Sequence, residues 1–449
     1  MAVKQVKIDV GEVIIGMFVS GLDRPWTQTP FPIQGFYIRD LDEVKQLKAQ
    51  CNHVYIDVVK GVPPAKANLR VMDPVERKKK RVIEPPSRKN TPVAPIKVNP
   101  NAYTDYEPLD KEVKKARQLH QKVFGAVSEV MSQIDSGNLV SVQETKRAAS
   151  DMVDSVLRNP DAFTWLSRIR DVDEYTYGHA VRSAVWAILF GRHIGLAKGE
   201  LDTLALGVLL KDVGKTHIRK TLLMNNDRST REQAEYQTFI EKGVEILRQL
   251  PGVEPRVIAV VKTHCERIDG SGFPQHLQGD KIPLLGKIAG IVTFYDQITN
   301  PRGAIDPVAP SRAVSRLYEV RGVEFQEDLV VEFIRGIGLY PTGTLVELTT
   351  GEVGVVVEQN FERRLKPKVM VLLDSFKQPL HKHQLLDLAE DDRRKQSLVD
   401  AGKKHISEVE KIEIAQDLEP GSHGVDINEI RDKYLMKSMK LDLFSFFKR

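Results

Sequence analysis

Between about Asp110 and Arg335 apolar residues return at the spacing of a helix face, in Val123, Val127, Val130, Met131 and Ile134, and again in Val181, Ala184, Val185, Ile188 and Leu189. Residues three and four apart share one side of a helix, so the pattern predicts amphipathic helices around a common core. On either side the period shortens. Upstream, Glu12 to Val19 and Val54 to Asp57 are β-rich runs separated by Gly and Pro, with one helix expected over Asp42 to Gln50 whose Val44 and Leu47 face inward. Downstream of Gly338-Leu339-Tyr340-Pro341, the runs Thr344 to Leu348, Gly354 to Val357 and Lys368 to Leu373 read as strands. The expected fold is mainly α, with a small N-terminal β-rich domain (1–60) and a small C-terminal β extension (338–390) flanking a helical domain (109–337).

Composition adds the joints. Residues 61–108 turn to Pro, Lys and Arg, including Arg77-Lys78-Lys79-Lys80-Arg81 and Glu84-Pro85-Pro86, which reads as a solvated linker. Residues 391–449 form a charged tail, expected to be partly helical or disordered, that ends in Leu441-Asp442-Leu443-Phe444-Ser445-Phe446-Phe447. The aromatic stretch Pro25 to Phe31 is expected to pack over the small N-terminal core. A length of 449 residues implies several domains, each able to bury its own core. The net charge of +5, from 66 basic and 61 acidic residues, makes no case for nucleic acid but is compatible with a small anionic ligand. Cys51 and Cys265 form no CxxC pair, no apolar signal core opens the chain, and no run reaches membrane-spanning length, so a cytoplasmic protein is expected.

The chemistry concentrates in three places. His179 lies early in a helical run, Asp212 follows the apolar helix of Leu204, Leu206, Val208, Leu209 and Leu210, and His264 ends another such run. A two-metal phosphodiesterase needs neutral imidazoles and carboxylates converging on closely spaced cations, so that a bridging water becomes hydroxide at neutral pH. Any one of the three residues alone has a plainer structural use, as a helix cap or a core histidine. Together with Asp269-Gly270-Ser271-Gly272-Phe273-Pro274 they form a single pattern.

That pattern resembles the HD-GYP family, bacterial His-Asp hydrolases that degrade cyclic di-GMP. The resemblance spans about 110 to 350 and rests on Asp173-Glu174-Tyr175-Thr176 before His179, Lys211-Asp212-Val213-Gly214-Lys215, His264 to Pro274, Lys281-Ile282-Pro283-Leu284 and Tyr295-Asp296. Leu22 to Trp26 and Gln34-Gly35-Phe36 resemble the uncharacterised domain that often precedes such modules, and Tyr340 to Gly343 with Val357 to Asn360 the usual C-terminal extension. The resemblance implies an HD-type helical bundle and a site for iron or manganese.

Residue by residue, the implied metal ligands are unevenly kept. His179, Asp212 and His264 retain their ligand type, and Cys265 stands where a second paired histidine would be. Lys211 replaces the histidine of the His-Asp pair, Phe239 another histidine, and Thr293 an aspartate. Lys215 matches the family lysine expected near the substrate phosphate, and Asp212 with Lys215 would be catalytic in an active enzyme. In the nucleotide-contacting stretch Arg302 survives, whereas Ile305 and Asp306 replace basic residues. Gly270, Gly272, Phe273 and Pro274 keep the loop that the family links to docking with diguanylate cyclase domains.

Three readings follow. The favoured one is a degenerate HD-GYP protein with no metal, or a weakly held divalent metal, that acts by binding cyclic di-GMP or a signalling partner. The second is a phosphodiesterase with an altered site around His179, Asp212, His264 and Cys265. The third is an interaction scaffold that binds no nucleotide.

Overall fold

The computed structural model describes residues 5–23, 36–38, 41–63, 93–138, 141–167, 175–302, 307–361, 363–400, 412–427 and 430. The aromatic stretch at Pro25, the Arg77 to Arg81 run, Asp173 and Glu174, Ile305 and Asp306, and the aromatic end at Phe444 lie outside the described residues. The chain forms two compact units, one of residues 1–88 with 361–365 and one of residues 89–360 with 366–449.

In the smaller unit the sheet order is β1 (Gln5–Asp9), β4 (His53–Gly61), β2 (Met17–Leu22), β3 (Phe36–Tyr37), with antiparallel pairs such as Val6 with Ile56. Val6 and Ile8 point inward while Lys7 and Asp9 face water, the alternation expected of a sheet covered on one side. Helix α1 (Leu41–Gln50) covers the buried face, and its Val44 and Leu47 join Val19, Phe36, Ile38, Val54 and Ile56 in the core.

The larger unit is a helical bundle. It begins with α2 (Leu109–Asp135), α3 (Gln143–Arg158) and α4 (Pro160–Ser167). Val123, Val127, Val130, Met131 and Ile134 of α2 are buried, the stripe that the helical spacing predicts. Two central helices, α5 (Tyr175–Ile194) and α6 (Lys198–Leu210), are buried on nearly every side. After a 3-10 turn (Val213–His217) come α7 (Lys220–Met224), α8 (Thr230–Gln237), α9 (Phe239–Gln249), α10 (Pro255–Thr263), α11 (Leu284–Thr299), α12 (Pro310–Glu319) and α13 (Glu327–Ile337). Helix α5 packs against both α6 and α11. Among the described residues no helix is long and apolar enough to cross a membrane.

The β extension is a sheet of β5 (Leu345–Leu348), β6 (Val353–Glu358), β7 (Lys368–Leu373), β8 (Pro379–Asp387) and β9 (Ile414–Asp417), in the order β8-β7-β6-β5-β9, with α14 (Leu388–Asp400) between β8 and β9 in the chain. Strand β9 lies within the charged tail, for which helix or disorder is the sequence-based expectation; it pairs with β5 through Val346 and Asp417. The sheet is fastened to the bundle at α4. The Trp165 indole donates to Val357 O at 2.7 Å, and the buried Asp161 carboxylate accepts from the Thr342 hydroxyl at 2.5 Å and from Gln359 N–H at 3.1 Å.

Candidate functional site

The site forms where buried helices end. Because the last two turns of α6, Leu204 to Leu210, are apolar and buried on all sides, the residue after them emerges inside the core, and Lys211 is 0% exposed. Asp212 opens the 3-10 turn but makes no capping hydrogen bond with its side chain. Its carboxylate is engaged by two lysines: Lys211 Nζ donates to Oδ2, and Lys215 Nζ lies 2.7 Å from Oδ1. Burial opposes the negative charge, yet the two ammonium groups outweigh it and hold the carboxyl well below its usual range. Burial pushes Lys211 downward against the pull of Asp212, and the ion pair with Asp212 lifts Lys215 despite its own burial.

Gly214 makes this turn feasible. A Cβ there would lie 1.9 Å from Phe239 O and 2.5 Å from Gly243 N, so only a glycine lets the turn sit directly on the backbone of α9.

His179 reaches the cluster from the opposite side. Its Nδ1 donates to Asp296 at 2.7 Å, leaving Nε2 unprotonated and 3.9 Å from Asp212 Oδ2. Among the described residues that Nε2 has no hydrogen-bond partner. Asp296 also accepts from Arg182 Nε at 3.0 Å and from Asn300 Nδ2 at 3.1 Å, which neutralises and orients it. Burial, reinforced by Lys211, pushes His179 down to about 4 and His264 down to about 3. The Nδ1 of His264 donates to Val261 O at 2.8 Å. Both imidazoles are therefore neutral at pH 7.

Phe239, the first residue of α9, is buried against the same cluster, with its ring 6.1 Å from that of His264 and the Lys215 ammonium 4.9 Å from its centroid. Cys265 keeps part of its surface exposed, yet burial of the thiol pushes it up to about 11, so it is protonated. Thr293 is buried with its hydroxyl unpartnered among the described residues.

These groups do not fit a pair of divalent ions. A metal ligand must offer a free lone pair and the site must welcome positive charge. Here both oxygens of Asp212 face ammonium groups, Lys211 puts a cation where an imidazole ligand would be, and Phe239 contributes carbon. Among the described residues no three His, Cys, Asp or Glu side chains converge as a metal site.

The loop after α10 folds back on itself. A Cβ at Gly272 would meet Arg267 N at 2.3 Å and Glu266 Cα at 2.4 Å, and Phe273 N–H donates to Cys265 O at 3.2 Å. The Phe273–Pro274 peptide is cis, and the buried Glu266 carboxylate accepts from Gln275 N–H at 2.7 Å and Leu277 N–H at 3.0 Å. Phe273 is turned toward Phe239, ring to ring at 6.2 Å, rather than standing clear of the surface. Gly270 has a φ of +83° where this loop turns.

Comparison with known proteins agrees with this architecture. Three family models match: "Domain of unknown function (DUF3391)" over residues 5–145, "HD domain" over 167–329, and "KOW domain associated with HD domain" over 345–394. The cyclic di-GMP phosphodiesterase PA4108 of Pseudomonas aeruginosa is 28% identical over 390 residues, which cover 85% of this chain and 88% of that protein. The chain is an HD-domain protein homologous to HD-GYP cyclic di-GMP phosphodiesterases. A second relative, the 3'3'-cGAMP-specific phosphodiesterase 2 of Vibrio cholerae, is 34% identical over 160 residues, 34% of this chain and 30% of that protein's length. Among solved structures, Bd1817, a HDG"Y"P protein from Bdellovibrio bacteriovorus, is 16% identical, with a TM-score of 0.44 over 73% of this chain and 98% of that one.

Within the HD domain, His179, Asp212, Lys215, His264 and Phe239 come together, with Cys265 and Phe273 beside them. Arg302 stands at the edge, its guanidinium 4.7 Å from the centre of the Tyr175 ring. Sequence reasoning passed over Arg182, Glu266, Arg228 and Tyr236. Only the folded chain shows that Arg182 serves Asp296, a residue 114 positions away.

Proposed function

We propose that this HD-domain protein binds a cyclic dinucleotide of the cyclic di-GMP class and does not hydrolyse it. The observation that carries the reading is the buried Lys211 ammonium paired with Asp212. It supplies fixed positive charge where metal-dependent hydrolysis requires an exchangeable cation that can bind and activate water. A lysine cannot hold a hydroxide nucleophile, but it can attract a phosphodiester. Lys215 and Arg302 add charge for the same phosphates, Arg302 through a guanidinium suited to two parallel hydrogen bonds.

One observation favours a residual hydrolase, the unpartnered Nε2 of His179 facing Asp212 Oδ2 at 3.9 Å. A single experiment separates the two readings. The purified chain is titrated with cyclic di-GMP and then assayed for turnover with added manganese or iron, beside Asp212→Ala. Saturable binding without turnover is expected. Turnover that disappears in Asp212→Ala refutes the proposal.

A further inference from the structure

A closed circuit of contacts borders the site, and half of it lies outside the motifs that identify the family. On one side Arg302 Nη1 donates to Leu223 O at 3.2 Å, its guanidinium covers Tyr175, and the Tyr175 ring stacks on His179 at 5.8 Å with 9° between planes. His179 then faces Asp212 at 3.9 Å, and Asp212 meets Lys215. On the other side Lys215 Nζ lies 5.9 Å from the Tyr236 ring centre, the Arg228 guanidinium covers the same ring at 4.0 Å, and Arg228 Nε donates to Leu222 O at 3.1 Å. Adjacent carbonyls of α7 thus hold the two arginines as neighbours and close the ring.

The charges on this ring are unbalanced. Among the described residues Asp296 is answered by Arg182, and Asp212 is already paired with Lys211 and Lys215, which leaves Arg228 and Arg302 as surplus positive charge. The nearby acidic residues of α8 are committed elsewhere. Glu232 accepts from Ser229 in a capping box, and Glu235 pairs with Arg219 at 2.7 Å. Arg228 and Arg302 have no carboxylate partner among the described residues. Each is held by a neutral backbone carbonyl, which orients a guanidinium without cancelling its charge. Each also lies on a half-buried tyrosine, a surface that gives planar cations and planar bases the same stacking contact.

We infer that Arg228 and Tyr236 form a second contact point for the ligand, beside Arg302 and Tyr175, which takes one phosphate and one base of a nucleotide carrying at least two negative charges. This rests on the nucleotide-binding reading above and names residues of the α7–α8 segment for it.

The test is calorimetric titration of the full chain with cyclic di-GMP, and separately with GTP and ATP, in wild type, Arg228→Leu and Arg228→Lys. Circular dichroism checks that each variant is folded. Loss of a charge-assisted phosphate contact is expected to weaken cyclic di-GMP binding roughly tenfold in Arg228→Leu, with part of the loss recovered in Arg228→Lys. Unchanged affinity in Arg228→Leu overturns the second contact point while leaving nucleotide binding intact. If wild type does not bind cyclic di-GMP, the functional reading fails and GTP and ATP decide the inference. Binding that Arg228→Leu weakens sustains it, and no binding of either overturns it.

Discussion

Replacing Lys211 by Met tests whether the site is held together by charge pairing. The substitution keeps most of the side chain's volume and removes the ammonium from a position with no solvent access. Asp212 is 1% exposed and would be left with Lys215 as its one remaining ion-pair partner. Breaking a buried pair by removing one member costs about 3–5 kcal/mol, because the remaining charge stays desolvated. The retained contact to Lys215 puts the expectation near the lower end, a loss of more than roughly a hundredfold in the folding equilibrium. Lys211→Met with Asp212→Asn removes the stranded carboxylate but leaves the buried Lys215 ammonium without its partner, so the double variant is expected to recover only part of the loss. Urea unfolding followed through Trp165 and Trp186, both buried in the helical unit, reports the change. A cost for Lys211→Met below about 1 kcal/mol refutes the argument that Lys211 compensates Asp212.

Two further expectations follow from the same geometry. Gly214→Ala forces a methyl group to within 1.9 Å of Phe239 O, so it should destabilise the chain by roughly 3 kcal/mol, and a melting temperature within a degree of wild type would contradict the close approach. Because His179 and His264 are pushed down to about 4 and about 3, the unfolded chain takes up their protons first as pH falls below about 6.5. Their stabilising contribution is complete above that pH and is lost progressively as pH falls toward their folded values, which His264→Asn should reduce in urea titrations between pH 7 and 4.5. Resonances assigned to His179 and His264 by their loss in His179→Asn and His264→Asn that titrate near 6.5 in the folded protein would contradict this.

The bundle was legible because its stripe is regular: Val123, Val127, Val130, Met131 and Ile134 report one face of α2 whatever packs against it. His179, Asp212 and His264 were legible as a set because their motifs retain local spacing around helix ends. What was not legible depends on long-range pairing. Asp296 reads as one half of a Tyr-Asp pair, and nothing local announces that it orients His179 and takes Arg182. Lys211 could be recognised as a substitution, but its complete burial follows from the last turns of α6, Leu204 to Leu210, being buried on every side. Arg228 looks like an ordinary loop cation until α7 and α8 bring it over Tyr236. Strand β9 was hidden because Ile414-Ala415-Gln416-Asp417 is too short and polar to signal a strand, and it exists through the free edge that β5 offers.

The seam between α4 and the β extension makes the chain resistant to dissection. A polypeptide ending at Gly338 would leave the Trp165 indole N–H without Val357, and the Asp161 carboxylate without Thr342 and Gln359, all of them groups that the intact fold buries. The KOW sheet is therefore a building block of the HD unit rather than a detachable accessory. A hybrid protein that borrows this HD domain must carry the sheet along.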